Sequence, residues 1–105
     1  MNSTAIRLRV EDFVEVTHAY IMKGLQLFSS SVEFYSYFEE MMRHYSQYQS
    51  NVGLRRKRAS VRLTTDEITE IKELQNEYIG SRFSDIVLAL NRIGSYYFWK
   101  YGMEV

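Results

Sequence analysis

A mainly α-helical domain carrying a short antiparallel β-ribbon is the fold class this sequence predicts, and three observations predict it. The chain holds no proline and only five glycines, which leaves long stretches free to be helical. Two short segments, residues 5–9 and 59–63, alternate small or apolar with polar side chains, the period of a strand with one buried face. Each is followed by segments whose apolar residues recur at helical spacing.

In the first half, Ala5-Ile6-Arg7-Leu8-Arg9 reads as a strand with Ile6 and Leu8 towards the core. A helix is expected over Glu11 to Leu25, with Phe13, Val16 and Tyr20 at helical intervals and Gly24 near its end. Ser29, Ser30 and Ser31 supply caps for a further helix that carries Phe34, Phe38, Met41 and Tyr45 on one stripe. Residues 49–58, QSNVGLRRKR, break the helical period and read as a basic linker.

Ala59-Ser60-Val61-Arg62-Leu63 is the second strand, with Val61 and Leu63 inward. Thr64 and Glu67 have the spacing of a capping box, so a helix of about four turns starts there, bearing Ile68, Ile71, Leu74, Gln75 and Tyr78 and closing at Gly80. Ser81 and Ser84 flank the start of the last helix, which carries Ile86, Val87, Leu90, Ile93 and Tyr97 towards Trp99. Gly94 within it costs about 1 kcal/mol relative to alanine, so either a close helix crossing requires it or the helix loosens beyond it.

Strand, helix, helix therefore occurs twice. Residues 1–48 form a first, degenerate unit, residues 49–58 the linker, and residues 59–105 a second unit with an extended C-terminal helix. Superposing Ile6-Arg7-Leu8 on Val61-Arg62-Leu63 matches Phe13 with Ile68 and Val16 with Ile71. Residues 49–58 can span about 33 Å when extended, enough to return the chain and pair the two strands antiparallel in one polypeptide.

At 105 residues, 46% apolar and 25% charged, the chain is expected to make one folded domain or two small units sharing a core. It has no cysteine, which removes disulfides, thiolate nucleophiles and Cys-based zinc sites. Met1 to Thr4 carry no signal pattern, and no apolar run approaches the roughly 20 residues that span a bilayer, so a cytoplasmic protein without a membrane partner is expected. Net charge is zero but unevenly spread: residues 51–64 hold five basic side chains and no acidic one. The aromatic residues Tyr35, Tyr37, Phe38, Tyr96, Tyr97, Phe98 and Trp99 stand at helical spacing and are expected in the core.

The run Ser60-Val61-Arg62-Leu63-Thr64-Thr65-Asp66-Glu67-Ile68, followed by Gly80-Ser81-Arg82-Phe83-Ser84-Asp85-Ile86-Val87, resembles the ribbon-helix-helix superfamily of MetJ and Arc. The resemblance covers roughly residues 58 to 98, with the turn pair reordered to Ser81-Arg82. It implies two strands that pair antiparallel and enter the DNA major groove as a ribbon, strands that in this family normally come from two subunits. A chain carrying both would resemble the tandem, single-chain form found in the conjugative-plasmid protein TraY.

By strand parity the base readers would be Arg58, Ser60 and Arg62 on the second strand and Ala5, Arg7 and Arg9 on the first. Arginine suits this task because its guanidinium can donate two hydrogen bonds to guanine O6 and N7. Ser81, Arg82 and Ser84, and in the first half Ser30 and Ser31, lie at helix starts where free amides can hold phosphates. Arg55, Arg56 and Lys57 add sequence-independent attraction to the backbone.

His18 and His44 stand without a metal-ligand spacing, and neither a Gly-rich phosphate loop nor a nucleophile with a partner base is visible. No enzymatic activity, metal or cofactor is expected. The expected partner is double-stranded DNA, with a second copy of the chain on the same DNA. Repression of transcription is the leading role. A relaxosome accessory protein acting beside a relaxase is the alternative with the same site. An antitoxin or adaptor, whose helical first half binds a toxin or other partner in place of supplying a strand, is the alternative from another class.

Overall fold

The computed structural model describes residues 2–48, 56–78 and 80–102. The inward rows Ile6, Leu8, Val10 and Ala59, Val61, Leu63 give two strands, β1 (Ser3–Glu11) and β2 (Arg56–Thr64), which pair antiparallel with Ile6 opposite Val61 and Leu8 opposite Ala59. Four helices complete the order β1-α1-α2-β2-α3-α4: α1 (His18–Phe28), α2 (Val32–Tyr48), α3 (Thr65–Gln75) and α4 (Phe83–Tyr101). The fold is mainly helical with a two-stranded antiparallel ribbon, as the periodicities predict, and both strands belong to one chain.

Both strands are longer than the alternation assigned to them. Val10 is fully buried and continues the inner row of β1, so the strand runs to Glu11 where a helix was expected to begin. Pairing with residues 9–11 then draws Arg56, Lys57 and Arg58, read as linker, into β2. The first helix accordingly starts later, at His18, after a turn in which the Val14 amide donates to the Glu11 carbonyl at 3.0 Å. Thr17 caps it by accepting from the Tyr20 amide at 3.1 Å. Phe13, placed on the helical stripe by its spacing, sits in this connection and is 77% exposed, so its match with Ile68 does not hold.

β2 instead runs straight into α3. Thr64 accepts from the Glu67 amide at 3.2 Å while the Glu67 carboxylate accepts from the Thr64 amide at 2.8 Å, the reciprocal box read from the sequence. α3 stops at Gln75, a turn earlier than expected. Gly80, with φ of 90°, serves the turn into α4 and does not close α3. Tyr78 in that turn packs edge-on against the fully buried Phe38 of α2 at 5.2 Å. Burial and then the Glu39 carboxylate push its hydroxyl well above the ordinary tyrosine range, so it stays neutral.

α4 is the central helix. Asp85 to Asn91 are buried without interruption, so it is covered on every side for about two turns. α1, α2 and α3 all pack on it, and the inner ribbon residues Leu8, Val10, Val61 and Leu63 complete one core with Ile21, Phe38, Ile71, Ile86, Leu90 and Ile93. Burial of each such aliphatic side chain stabilises by about 1.5–3 kcal/mol, which a two-stranded ribbon needs because it is marginal alone. Among the described residues no helix is long and apolar enough to cross a membrane.

The two helical glycines explain each other. A Cβ on Gly24 would lie 2.0 Å from the Leu90 carbonyl oxygen, and one on Gly94 would lie 1.8 Å from the Tyr20 carbonyl oxygen. Gly24 is therefore mid-helix at a crossing, not near a helix end, and Gly94 marks the close approach of α1 to α4. Neither carbonyl can retreat without shifting a helix backbone. Gly24→Ala and Gly94→Ala should each destabilise by about 3 kcal/mol or more, the upper range of overpacking, as read from urea midpoints. Ser95→Ala is the control for helix propensity and should change stability by less than about 1 kcal/mol. Alanine tolerated at both glycines would mean that the crossing is looser than this geometry.

Candidate nucleic-acid interface

Side chains two apart on a strand share a face, so the pairing register decides which of them stand together. Ala5 opposes Arg62, Arg7 opposes Ser60 and Arg9 opposes Arg58. All six side chains are exposed, and they form one two-column surface on the side of the ribbon away from the core. Ser3 and Thr64 continue the same rows. No carboxylate occurs at these eight positions, although the chain as a whole is neutral.

Two features of this face needed the register to be seen. Arg62 reaches across the ribbon, donating from Nε to the Ser3 hydroxyl and from Nη2 to the Ser3 carbonyl, both at 3.0 Å. Ser3, unnoticed in the sequence because the alternation was taken to start at Ala5, thus holds one edge of the guanidinium in place. At the other end Arg9 and Arg58 are direct cross-strand partners. Like charges in that position destabilise a ribbon by roughly a few tenths of a kcal/mol, so nothing in folding recommends the pair.

Beyond it, Arg56 stands opposite Glu11, whose carboxylate is buried with Oε1 3.5 Å from His44 Nε2. Lys57 follows the inner parity opposite Val10 but is exposed at the ribbon end. Arg56 and Lys57 are thereby extensions of the ribbon and not parts of a linker. Arg55 lies outside the described residues.

The starts of the two second helices differ. α4 begins after Arg82, an exposed N-cap with extended backbone and no side-chain cap, with Ser84 in its first turn. The Ser81 carbonyl accepts from Gln75 Nε2 at 2.9 Å, which ties that turn to α3. At α2, Ser31 accepts from the Phe34 amide at 3.4 Å and so caps the helix. Ser30 donates instead to the Gln26 and Leu27 carbonyls at the end of α1. Its hydroxyl closes one helix and does not cap the next.

Two polar residues outside the predicted site position the ribbon's supports. Asn91, almost fully buried in α4, accepts from the Thr17 amide at 3.2 Å and donates to the Glu15 carbonyl at 2.9 Å, fixing the β1–α1 connection. A lone Asn in an apolar stripe was its only sequence signal. His18 Nε2 lies 2.8 Å from Glu67 Oε2, joining the starts of α1 and α3. The Thr64 amide, against the opposing effect of burial and with help from the His18 ring, lowers the Glu67 carboxyl below its ordinary value.

A lowered carboxyl contributes stability above its ordinary range, and the contribution is lost as pH falls through the lowered value, below 4.5. The melting temperatures of the parent chain and Glu67→Gln should therefore differ at pH 7 and converge as the pH drops towards 3. A gap that persists in acid would place the effect in packing. Thr64→Ala should cost about 1 kcal/mol. Arg9→Gln and Arg58→Gln should leave stability unchanged or slightly raised; a loss above about 1 kcal/mol would make these arginines structural.

The chain matches no protein-family model, no characterised protein and no solved structure in comparisons with each, so what it does has to be argued from this surface.

Proposed function

We propose that the chain is a sequence-specific double-stranded DNA-binding protein that lays the outer face of its ribbon in the major groove, in the manner of ribbon-helix-helix proteins. Its two β-α-α halves act as tandem units that together supply one ribbon. The observation that carries the reading is the exposed face of Arg7, Arg9, Arg58 and Arg62 with Ala5 and Ser60, free of carboxylates in a neutral chain. The major groove admits a two-stranded ribbon, and arginines aimed into it can read guanine.

Within this reading Arg62 is the best-ordered reader. The hold of Ser3 on Nε and one Nη leaves the other end of the fork to meet a base edge. The Arg9–Arg58 pair, unfavourable in the free protein, is neutralised by phosphates or guanines in the complex. Arg56 and Lys57 contact the backbone at the ribbon end, and Ser81, Arg82 and Ser84 at the uncapped start of α4 hold a phosphate on the second half. Ser31 has a lesser part on the first half. As a repressor of transcription the protein would act in the cytoplasm. The pairing of β1 beside β2 favours this over an adaptor in which the first half supplies no strand.

Binding to duplex DNA should weaken with salt, with a log-log slope of roughly −0.9 per phosphate neutralised. Arg62→Ala should remove about 1–3 kcal/mol of discrimination between the selected site and scrambled DNA, whereas neutralising Arg56 and Lys57 should weaken both alike. The two columns differ in side chains, so the selected site should be asymmetric and not a palindrome. Selection from a randomised duplex pool, followed by base-by-base substitution, reads both effects. A folded protein with no duplex affinity at low ionic strength would falsify the proposal.

A further inference from the structure

The structure assigns a second role to the opposite character of another surface: we propose that the groove between Phe13 and Trp99 joins two copies of this chain in a two-fold dimer. Phe13 and Trp99 are 77% and 80% exposed, and both line one groove with Tyr20, Tyr37, Glu15 and Arg92. Trp99 was expected in the core, so its exposure is a departure that packing does not explain. The indole is nevertheless held. It stacks on Tyr96 at 6.1 Å, and Tyr96 meets Tyr37 edge-on at 5.1 Å and the buried Phe34 at 6.3 Å. A large apolar side chain fixed in water by a rooted aromatic ladder is prepared for a partner, because little of its conformational freedom remains to be lost.

The charges say which partner. Glu15 and Arg92 both border the groove, and among the described residues neither side chain forms an ion pair. A basic or an acidic partner would satisfy one of them and oppose the other. A second copy turned by a two-fold axis can set each Glu15 against the other copy's Arg92, with the aromatics between them, because an isologous contact repeats every pair in reverse. The area is also adequate. Phe13 and Trp99 together offer about 250–400 Å² per copy, up to half of the roughly 800 Å² per partner of a standard interface, and the tyrosines and the rim add to it. The groove shares no residue with the ribbon's outer face, so a dimer keeps two ribbons available.

The test is sedimentation of the full chain without DNA over a range of concentrations, with emission from Trp99, its one tryptophan, read in parallel. The expected result is a monomer–dimer equilibrium in which emission moves to the blue as the mass doubles. Phe13→Ser and Trp99→Ser should each weaken association at least tenfold while the circular dichroism melt is kept. Glu15→Arg and Arg92→Glu should each weaken it, and the two together should restore it. A monomer at every concentration overturns the proposal; if its emission is already blue, another segment of the same chain covers the indole. A dimer indifferent to these substitutions, or an open-ended assembly, also overturns it. With no DNA present, each outcome is independent of the DNA-binding reading.

Discussion

The approach of α1 to α4 is the contact on which the rest of the structure depends. At Gly24 and Gly94 the two helices meet with no side chain between them, each glycine seated against the other helix's carbonyl four residues before its glycine. Any Cβ there would hold the helices apart. Because α1 belongs to the first half and α4 to the second, this contact sets how the halves sit on one another. The ribbon inherits that setting: β1 leads into α1 through residues held by Asn91 of α4, and β2 leads directly into α3, which also packs on α4. The two strands thus arrive side by side above helices that meet at this contact.

With its inner face committed to the core, the ribbon can carry on its outer face whatever a ligand requires. Leu8, Val10, Val61 and Leu63 supply the burial, and Ala5, Arg7, Arg9, Arg58, Ser60 and Arg62 are exposed. Stability is thus insensitive to the outer rows, and an opposed arginine pair costs the fold little. Opposite-charge pairs across strands are favourable, and the carboxylate that continues these rows, Glu11 opposite Arg56, is buried at the ribbon end beyond Arg9 and Arg58.

The parts of this fold legible in the sequence are those written in local chemistry. The period-two rows named the strands and their outward residues, and the Thr64–Glu67 spacing named the start of α3. The misplaced start of α1 shows where local chemistry was ambiguous. Phe13, Val16 and Tyr20 fit a helical stripe, yet Val10 fits the strand, and pairing with β2 decided for the strand through Glu11. Nothing local shows that Gly24 and Gly94 are partners, that Ser3 lies under the Arg62 guanidinium, or that Arg9 faces Arg58. Each of these is a relation between residues far apart in sequence. Trp99 misled for the reverse reason: it follows the buried Phe98, which packs on Tyr20 of α1, yet it lies on the outer side of α4.

The repeated order of elements does not make the molecule symmetric, and the difference bears on how a ribbon of this kind would work. The backbone pairing of β1 with β2 is self-consistent under a two-fold rotation, since Arg7 opposes Ser60 and Arg9 opposes Arg58 in one continuous register. The supports are not. β2 enters α3 at once through a capping box, whereas β1 needs residues 12–17 and the side chain of Asn91 before α1 begins. One second helix starts uncapped after Arg82 and the other is closed by Ser31. A homodimer must repeat every contact twice, but here each half is free to specialise. The Arg62 end of the ribbon is ordered by a hydrogen-bonded serine, and the Arg9–Arg58 end concentrates charge. A single chain can make the two ends of one ribbon differ in this way, and two identical strands related by a two-fold axis cannot.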